Sequence, residues 1–584
     1  MAKGKVLVLG DDTRSFLAIV RSLGRHGLSV HCAPVNCRSV ALRSRYIGKI
    51  HMLPPLTGCG SAWLASLEKL LRDQNFTLTI PCSDRSLLPL HAHRHRLAGL
   101  THLAIPEPEH IEILFDKVRT RELAASLGIK LARGLHPEQP VDTDMVLSQL
   151  GAPIVIKPRR SVHPDVLEQQ EQVQIVATPE ELKAAIANRE HGSYFFEAFF
   201  PGFGLGVSIL AERGVILQSF QHHRVHQAAR GGSSAYRVSA PLSADLLAAC
   251  EKIVGRLNYT GIAMFEFRRD AGSGNWVLLE VNARPWGSMP LPLALGVDFP
   301  FAWYQLLTSA DWIPRQGYRT GIYGRNLELD VAFAAKHLSE MTGRHGRAGF
   351  VARWLFAFGR VLIGREKIDT LALDDPAPAI AECRSIASRL IRRGFECVPR
   401  HRTMRRTAAR MRLRRALTRA VRAGRTPSIV FVCYGNICRS VFAERLLAKA
   451  LTPLANQVFV GSAGTYQVAG RPSPHEAIQA ARRHDLDLAT HRSQCITPQI
   501  LDAATVLIVF DRSNIEILNS QFLGIKCPII LLGSLASPGD REENIDDPYG
   551  KGPAMFDRAF TLIERGVAAL RAQIFDVFPT RTFT

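Results

Sequence analysis

Residues 428–445 read Ser-Ile-Val-Phe-Val-Cys-Tyr-Gly-Asn-Ile-Cys-Arg-Ser-Val-Phe-Ala-Glu-Arg, and no other stretch limits the fold as strongly. The apolar run ending at Val432 has the length and composition of a buried parallel strand, and Ser440 onward is helical. Between them lies a tight loop with Cys433 at one end and Arg439 at the other. A strand–loop–helix of this kind aims backbone N–H groups and the positive helix end at one point, which suits a phosphate oxyanion. The same field favours thiolate over thiol at Cys433. The planar fork of Arg439 matches two phosphate oxygens, as Lys cannot. Ser440 is placed to donate to the thiolate. Gly435 is expected to take the backbone conformation closed to other residues. Tyr434, Asn436, Ile437 and Cys438 complete the loop.

Thiolate attack on an aryl phosphate also needs an acid for the leaving phenolate. Asp547, in Ile545-Asp546-Asp547-Pro548-Tyr549-Gly550, is the candidate; Pro548 stiffens its loop and Tyr549 can wall an aromatic substrate. Together with Gly461-Ser462-Ala463-Gly464-Thr465, His491-Arg492 and Asp511-Arg512-Ser513-Asn514, these segments resemble the low-molecular-weight protein tyrosine phosphatases over about residues 428–575. The resemblance implies a doubly wound parallel-sheet domain that needs no cofactor and acts on a phosphotyrosine protein or a small phosphoester. It implies Cys433 as nucleophile, Arg439 as phosphate clamp and Asp547 as general acid. Asn436, Ser462 and His491 would brace the loop, and Cys438 would be the second cysteine able to trap Cys433 as a disulfide. Gly550 departs from the family, which often has a second aromatic there. A thioredoxin-coupled arsenate reductase, the minor alternative, requires a further close cysteine pair, whereas Cys495 and Cys527 are far apart in sequence.

The N-terminal two-thirds alternates apolar strands with helices, which predicts an α/β class. Lys5 to Gly10 reads as a first buried strand, without the Gly-x-Gly-x-x-Gly turn of a dinucleotide fold. A strand at 151–158 delivers Lys157, and Tyr194 to Gly202 is a second strand with its turn. Met264-Phe265-Glu266-Phe267 and Trp276-Val277-Leu278-Leu279-Glu280-Val281-Asn282-Ala283-Arg284-Pro285 place carboxylates inside apolar runs, where an ionised group needs a compensating charge. Glu280 and Asn282 alternate with apolar neighbours and share a face. Oxygen donors from Glu266, Glu280 and Asn282 suit Mg²⁺.

These features resemble the ATP-grasp superfamily of the carbamoyl-phosphate-synthase-like, carboxylate–amine ligase type over about residues 1–310. The resemblance implies a pre-ATP-grasp domain followed by the ATP-grasp fold, with ATP and Mg²⁺ as cofactors and an undefined carboxylate and amine as substrates. It makes Lys117 and Lys157 the nucleotide lysines, and Glu197, Ala198, Phe199 and Phe200 the adenine hinge through backbone atoms. Glu266, Glu280 and Asn282 become the metal ligands, and Arg284 the group that stabilises a phosphorylated carboxylate. Lys157 is followed by Pro158-Arg159-Arg160 instead of a Gly-rich cover loop, so Arg159 and Arg160 are expected to clamp phosphate. That departure keeps a second reading open, a phosphatase governed by an ATP-binding sensor without turnover. Arg224, His226 and the loop 229–234 are a candidate anion site for the second substrate.

The expected division is 1–110, a pre-ATP-grasp α/β domain; 111–310, the ATP-grasp domain; 311–399, an extension without assigned chemistry; 400–427, an Arg-rich linker; and 428–580, the phosphatase. Of the net charge of +21 in 584 residues, about half comes from 400–425, which carries eleven Arg and no Asp or Glu. Such a segment forms a basic helix suited to an anionic membrane surface. Without interleaved aromatic residues to stack bases, it is a poor match for nucleic acid. The N-terminus enters a strand with no secretory apolar region, and no apolar run reaches the ~18 residues of a membrane span. The expectation is a cytoplasmic protein with reduced thiols.

Overall fold

The computed structural model describes residues 4–578 apart from 55, 57–59, 137–140, 165, 187–188, 191, 228–233, 309–316, 342–343, 397–398, 467, 523 and 537–542. The chain forms two compact units, Met1–Ile386 and Ala387–Thr584.

In the first unit, β1 (Lys5–Leu9), β2 (Ser29–Ala33), β3 (Ile47–Ile50), β4 (Leu78–Pro81) and β5 (His102–Leu103) form a parallel sheet in the order β3-β2-β1-β4-β5. The middle strand β1 is buried along Val6, Leu7, Val8 and Leu9, as a central parallel strand covered on both faces must be. Next come β6 (Gly134–Leu135), β7 (Ile154–Pro158), the hairpin β8 (Val162–His163) and β9 (Val166–Gln170), β10 (Gln174–Val176) and β11 (Tyr194–Ala198). Strands β10-β7-β11-β6 make a small antiparallel sheet.

The largest sheet follows. It contains β12 (Phe203–Glu212), β13 (Val215–Gln227), β14 (Ser234–Ala240), β15 (Gly261–Arg269), β16 (Trp276–Asn282), β17 (Tyr323–Arg325) and β18 (Glu366–Ile368), in the order β16-β15-β12-β13-β14-β17-β18. Alternate residues of its inner strands feed two cores. Leu205, Val207, Ile209, Ala263, Phe265 and Phe267 pack with the helix Ala244–Leu257. Leu210, Phe220, Ile262 and Met264 pack with β1 and the helix Ser15–Arg25. The 311–399 stretch is thus no appendage: it contributes the last two strands of the sheet, β17 and the edge strand β18. It also contributes buried charges, with Arg325 bonded to Glu366 at 2.5 Å and Arg21 to Asp375 at 2.9 Å.

The second unit carries β19 (Ser428–Cys433), β20 (Phe459–Gly464), β21 (Val506–Val509) and β22 (Ile529–Leu531), all parallel, in the order β20-β19-β21-β22. β19 is central and fully buried, and it ends at Cys433. The Arg-rich segment expected as a linker is a helix, Pro399–Arg422, that belongs to this unit. Its Ala409, Leu413 and Leu417 lie at four-residue spacing on one face. They enter the same core as Ile429, Phe431, Ile563 and Leu570. Burying the two leucines contributes about 1.5–3 kcal/mol each, more than an exposed tether retains. Arg405 and Arg406 reach Glu543, and Arg410 donates to the carbonyls of Leu535 and Ala536.

Candidate functional site

In the second unit β19 ends in the loop 434–438, and the helix Arg439–Ala450 starts immediately after it. Cys433 is 3% exposed. Its Sγ accepts from the Asn436 N–H at 3.2 Å and lies 3.1 Å from Ser440 Oγ. Asn436 Nδ2 already donates to Ser440 Oγ at 2.9 Å, which leaves the serine hydrogen free for sulfur.

The left-handed residue of the loop is Asn436, at φ +52°, and not Gly435 as expected. Asn tolerates this region, and its short amide is tied down on every side. Nδ2 also donates to Ser462 Oγ at 2.8 Å, and Oδ1 accepts from the Gln494 N–H at 2.8 Å. Its carbonyl is 2.7 Å from His491 Nε2, while Ser462 Oγ donates to Glu444 at 2.5 Å. Close approach to this loop requires a glycine at Gly464, directly across from Cys433 in β20, where a Cβ would stand 2.9 Å from the Tyr434 carbonyl oxygen. Glu444, Gln494 and Arg471, whose guanidinium donates to the Gly435 carbonyl at 2.6 Å, were not singled out from the sequence. They touch the loop through backbone groups or one intermediary, which leaves no local pattern.

Arg439 closes the mouth of the loop, 1% exposed. It is held by Asp511 at 2.5 Å, by Asp547 at 2.6 Å and by the Ile545 carbonyl at 2.9 Å. The Asp547 side chain remains 39% exposed, and Tyr434 and Tyr549 stand exposed. Burial pushes the Cys438 thiol well up, so it stays protonated beside Cys433. Cys527 sits against Leu501, its thiol also raised by burial, and offers no ready downstream thiolate to an arsenate reductase scheme.

In the first unit, a cavity of about 210 Å³ is walled by Lys117, Arg121, Arg160, Ser161, Leu278 to Arg284 and Asp84. Glu266 and Glu280 are direct cross-strand partners on β15 and β16. Asn282 Nδ2 reaches Glu280 at 3.1 Å and Glu266 at 3.4 Å. Burial and the neighbouring Glu280 raise the Glu266 carboxyl, although Arg224, in contact with it, pulls the other way. Burial would also raise Glu280, but Lys117, the Asn282 amide and Lys157 outweigh it and the carboxyl ends lowered. Two part-buried carboxylates, one reluctant to ionise, beside an amide that now turns its nitrogen to them are a donor set that a divalent cation relieves once the amide presents its oxygen. Among the described residues no cluster of three His, Cys, Asp or Glu exists, so any metal here is held by this mixed set.

Lys117 Nζ donates to Ser161 at 2.7 Å and stands 3.9 Å from Glu280. Lys157 is spent on Glu197 at 2.5 Å, and Glu197 also contacts Arg121. Arg284 forks onto Asp84, at 2.5 and 3.2 Å. The adenine hinge expected at 197–200 and the phosphate clamp expected of Arg159 and Arg160 have these surroundings. The N–H groups of Ala198 and Phe199 donate to Arg133 and Pro153, and residues 197–200 do not wall the cavity. Arg159 is bound to Asp116 at 2.6 Å, so only Arg160 faces the cavity. His226 pairs with Asp330 at 2.6 Å, and the loop 228–233 beyond it lies outside the described residues.

The N-terminal unit has structural neighbours. The biotin carboxylase domain of Hydrogenobacter thermophilus 2-oxoglutarate carboxylase matches 54% of this chain and 73% of its own at 16% identity, TM-score 0.43. The N5-carboxyaminoimidazole synthetase of Staphylococcus aureus matches 55% and 80% at 13% identity, TM-score 0.44. The C-terminal unit is similar in sequence to the probable low molecular weight protein-tyrosine-phosphatase EpsP of Ralstonia solanacearum, 31% identical over 142 residues, 24% of this chain and 92% of the relative. It is also similar to the low molecular weight protein-tyrosine-phosphatase Wzb of Escherichia coli K12, 33% identical over 138 residues, 24% of this chain and 88% of the relative. The sequence model of the low molecular weight phosphotyrosine protein phosphatases matches residues 428–576. Through its C-terminal unit, the chain belongs to the low molecular weight phosphotyrosine protein phosphatase family.

Proposed function

We propose that the chain joins two catalysts, a cysteine-dependent aryl-phosphate phosphatase at 428–576 and an ATP-grasp carboxylate–amine ligase in the first unit. The phosphatase reading is carried by the surroundings of Cys433 Sγ, which faces the Asn436 N–H at 3.2 Å and the Ser440 hydroxyl at 3.1 Å. An arriving phosphate dianion draws Arg439 away from Asp511 and Asp547 onto two of its oxygens. The thiolate attacks phosphorus, and the phosphorus–oxygen bond to the aryl group breaks. Asp547 gives its proton to the departing oxygen. Water, deprotonated by Asp547, then displaces sulfur and releases inorganic phosphate. Cys433→Ser tests this: hydrolysis of p-nitrophenyl phosphate should vanish, and retention of more than about a tenth of the rate would sink the assignment.

The ligase reading is supported by Lys117, Glu280, Asn282 and Arg284 meeting at one cavity, with Glu266 beside Glu280. Mg²⁺, when bound, would neutralise nucleotide phosphates there, with Glu266, Glu280 and Asn282 as its holders. Lys117 would bind phosphate and Arg284 the acid being activated. Calorimetry of Glu280→Ala tests it: Mg·ATP affinity should be lost in a folded protein. A nucleotide sensor without turnover is the second reading, favoured by Pro158-Arg159-Arg160 standing where a Gly-rich cover loop would follow Lys157. ADP release with a panel of acids and amines separates the two.

The outer face of the helix Pro399–Arg422 fits an anionic bilayer. Arg414, Arg415, Arg419 and Arg422 line a shallow groove with Met411 and have no acidic partner among the described residues. Met404 and Met411 are exposed on the same helix. No helix among the described residues is long and apolar enough to cross a membrane.

A further inference from the structure

On the face of the large sheet that carries Glu266, β13 and β14 set two arginines directly opposite each other. Arg224 and Arg237 are cross-strand partners, where side chains of like charge repel at short range. Their side chains are 9% and 0% exposed. Each has one carboxylate on its far side, Glu266 for Arg224 and Asp369 for Arg237. Yet Nε of Arg224 and both Nε and Nη1 of Arg237 have no hydrogen-bond partner among the described residues.

His222 stands two residues before Arg224 on β13 and opposite Gly206 of β12, which is itself opposite Glu266. It is 1% exposed, and neither ring nitrogen has a partner among the described residues. Burial and the charges of Arg224 and Arg237 keep its imidazole neutral, so it has an N–H to give without adding charge. Arg14 adds a third guanidinium. Its Nη1 is buried without a partner among the described residues, a Cβ on Gly287 would come within 2.5 Å of it, and its charge bears on Asp369. Buried donors are ordinarily paired, and several left unmade on one face point to an acceptor that the chain does not itself supply. Guanidinium and imidazole donors left unmade on one face are the complement of an oxyanion.

The position says which oxyanion. β14 lies three strands from β15 and four from β16. At ~4.8 Å per strand this is roughly 14 and 19 Å between backbones; long side chains reach inward from both ends, as Arg224 does to Glu266, so Arg237 and Arg284 face two groups a few bonds apart and not one shared group. We propose that Arg14, Arg224, Arg237 and His222 bind a second, distal oxyanion on the acid that the first unit activates. The acid substrate then carries a carboxylate or phosphate several bonds from its reacting carboxyl. The proposal rests on the ligase reading for its reacting end; the oxyanion site itself does not.

The test is calorimetry on the full chain with Mg·ATP present, titrating adipate, 3-phosphonopropionate and hexanoate. Charge-assisted hydrogen bonds of this kind should make the dianions bind about tenfold or more tightly than hexanoate. The tighter dianion identifies carboxylate or phosphate as the distal group. Arg237→Gln and Arg14→Gln should bring the dianions down to the hexanoate level while Mg·ATP affinity holds. Arg14 is only half-buried, so that variant stands if Arg237→Gln does not fold. Equal binding of hexanoate and the dianions, a preference retained in both variants, or no acid binding beside intact Mg·ATP binding overturns the proposal. If the wild-type chain binds no Mg·ATP, the ligase reading falls instead, and the same titration without nucleotide decides the oxyanion site by itself.

Discussion

Replacing Asn436 by Ala removes three side-chain hydrogen bonds, the buried ones to Ser440 and Ser462 and the part-buried one from the Gln494 N–H. At about 1 kcal/mol each, the loss is about 3 kcal/mol. Forcing Ala to the φ of +52° adds about 1 kcal/mol, since a Cβ without a local hydrogen bond fits the left-handed region poorly. Asn436→Gly loses the same bonds without that strain. The second unit should therefore be destabilised by about 4 kcal/mol in the Ala variant and about 3 in the Gly variant. With a urea dependence of about 2 kcal/mol per molar, the midpoints fall by about 2 M and about 1.5 M. All six tryptophans of the chain lie between 63 and 354, so their fluorescence follows the first unit. Loss of p-nitrophenyl phosphate hydrolysis with urea follows the second. The two signals read the two units separately in the intact protein. Midpoints for Ala and Gly that coincide would refute the strain at 436, and shifts below about 0.5 M in both would refute the hydrogen-bond network as the support of the loop.

Asp547→Ala should slow hydrolysis by about 10²–10⁴ for phenolates that need a proton and much less for good leaving groups; an equal loss across leaving groups would make Asp547 structural. Replacing Arg414, Arg415, Arg419 and Arg422 by Gln should abolish salt-sensitive flotation with phosphatidylserine vesicles. A wild-type chain that stays wholly unbound at low salt leaves no membrane role for the helix. His31 Nδ1 lies 2.9 Å from His51 Nε2, and burial followed by the His51 charge lowers His31 to about 4. A lowered histidine stabilises the fold fully above its ordinary value of 6.5, and the stability is lost as pH falls toward 4. Tryptophan-detected melting should weaken over that window and lose much of its slope in His31→Phe. An unchanged slope would show that the pair does not couple to folding.

The phosphatase loop was legible in the sequence because its chemistry is local. Strand, Cys433, Arg439 and helix are contiguous, and the spacing alone fixes their geometry. Glu266 and Glu280 were legible for a related reason, since alternation in two apolar strands left them one place to meet. Other features depended on tertiary partners. Arg159 turned to Asp116 rather than to the cavity, and nothing near it in sequence announces an N-cap carboxylate able to claim it. The left-handed residue fell on Asn436 because its amide is satisfied by Ser440, Ser462 and Gln494, two of them distant in sequence, while the adjacent Gly435 drew the expectation by type. In 400–425 the stripe of Ala409, Leu413 and Leu417 was present, but eleven arginines obscured it, and composition says nothing of which face of a helix is covered.

That helix also changes where one catalyst begins. The family match starts at residue 428, at the first residue of β19. Leu413 and Leu417, both wholly enclosed, lie upstream of it. Cleavage in the Gly424-Arg425-Thr426-Pro427 turn followed by loss of the upstream piece would strip an apolar strip from Ile429, Phe431 and Leu570. The interior of the phosphatase thus includes a helix, Pro399–Arg422, that lies wholly upstream of its recognisable signature. A phosphatase cut at residue 428 would therefore leave one side of its interior open to water.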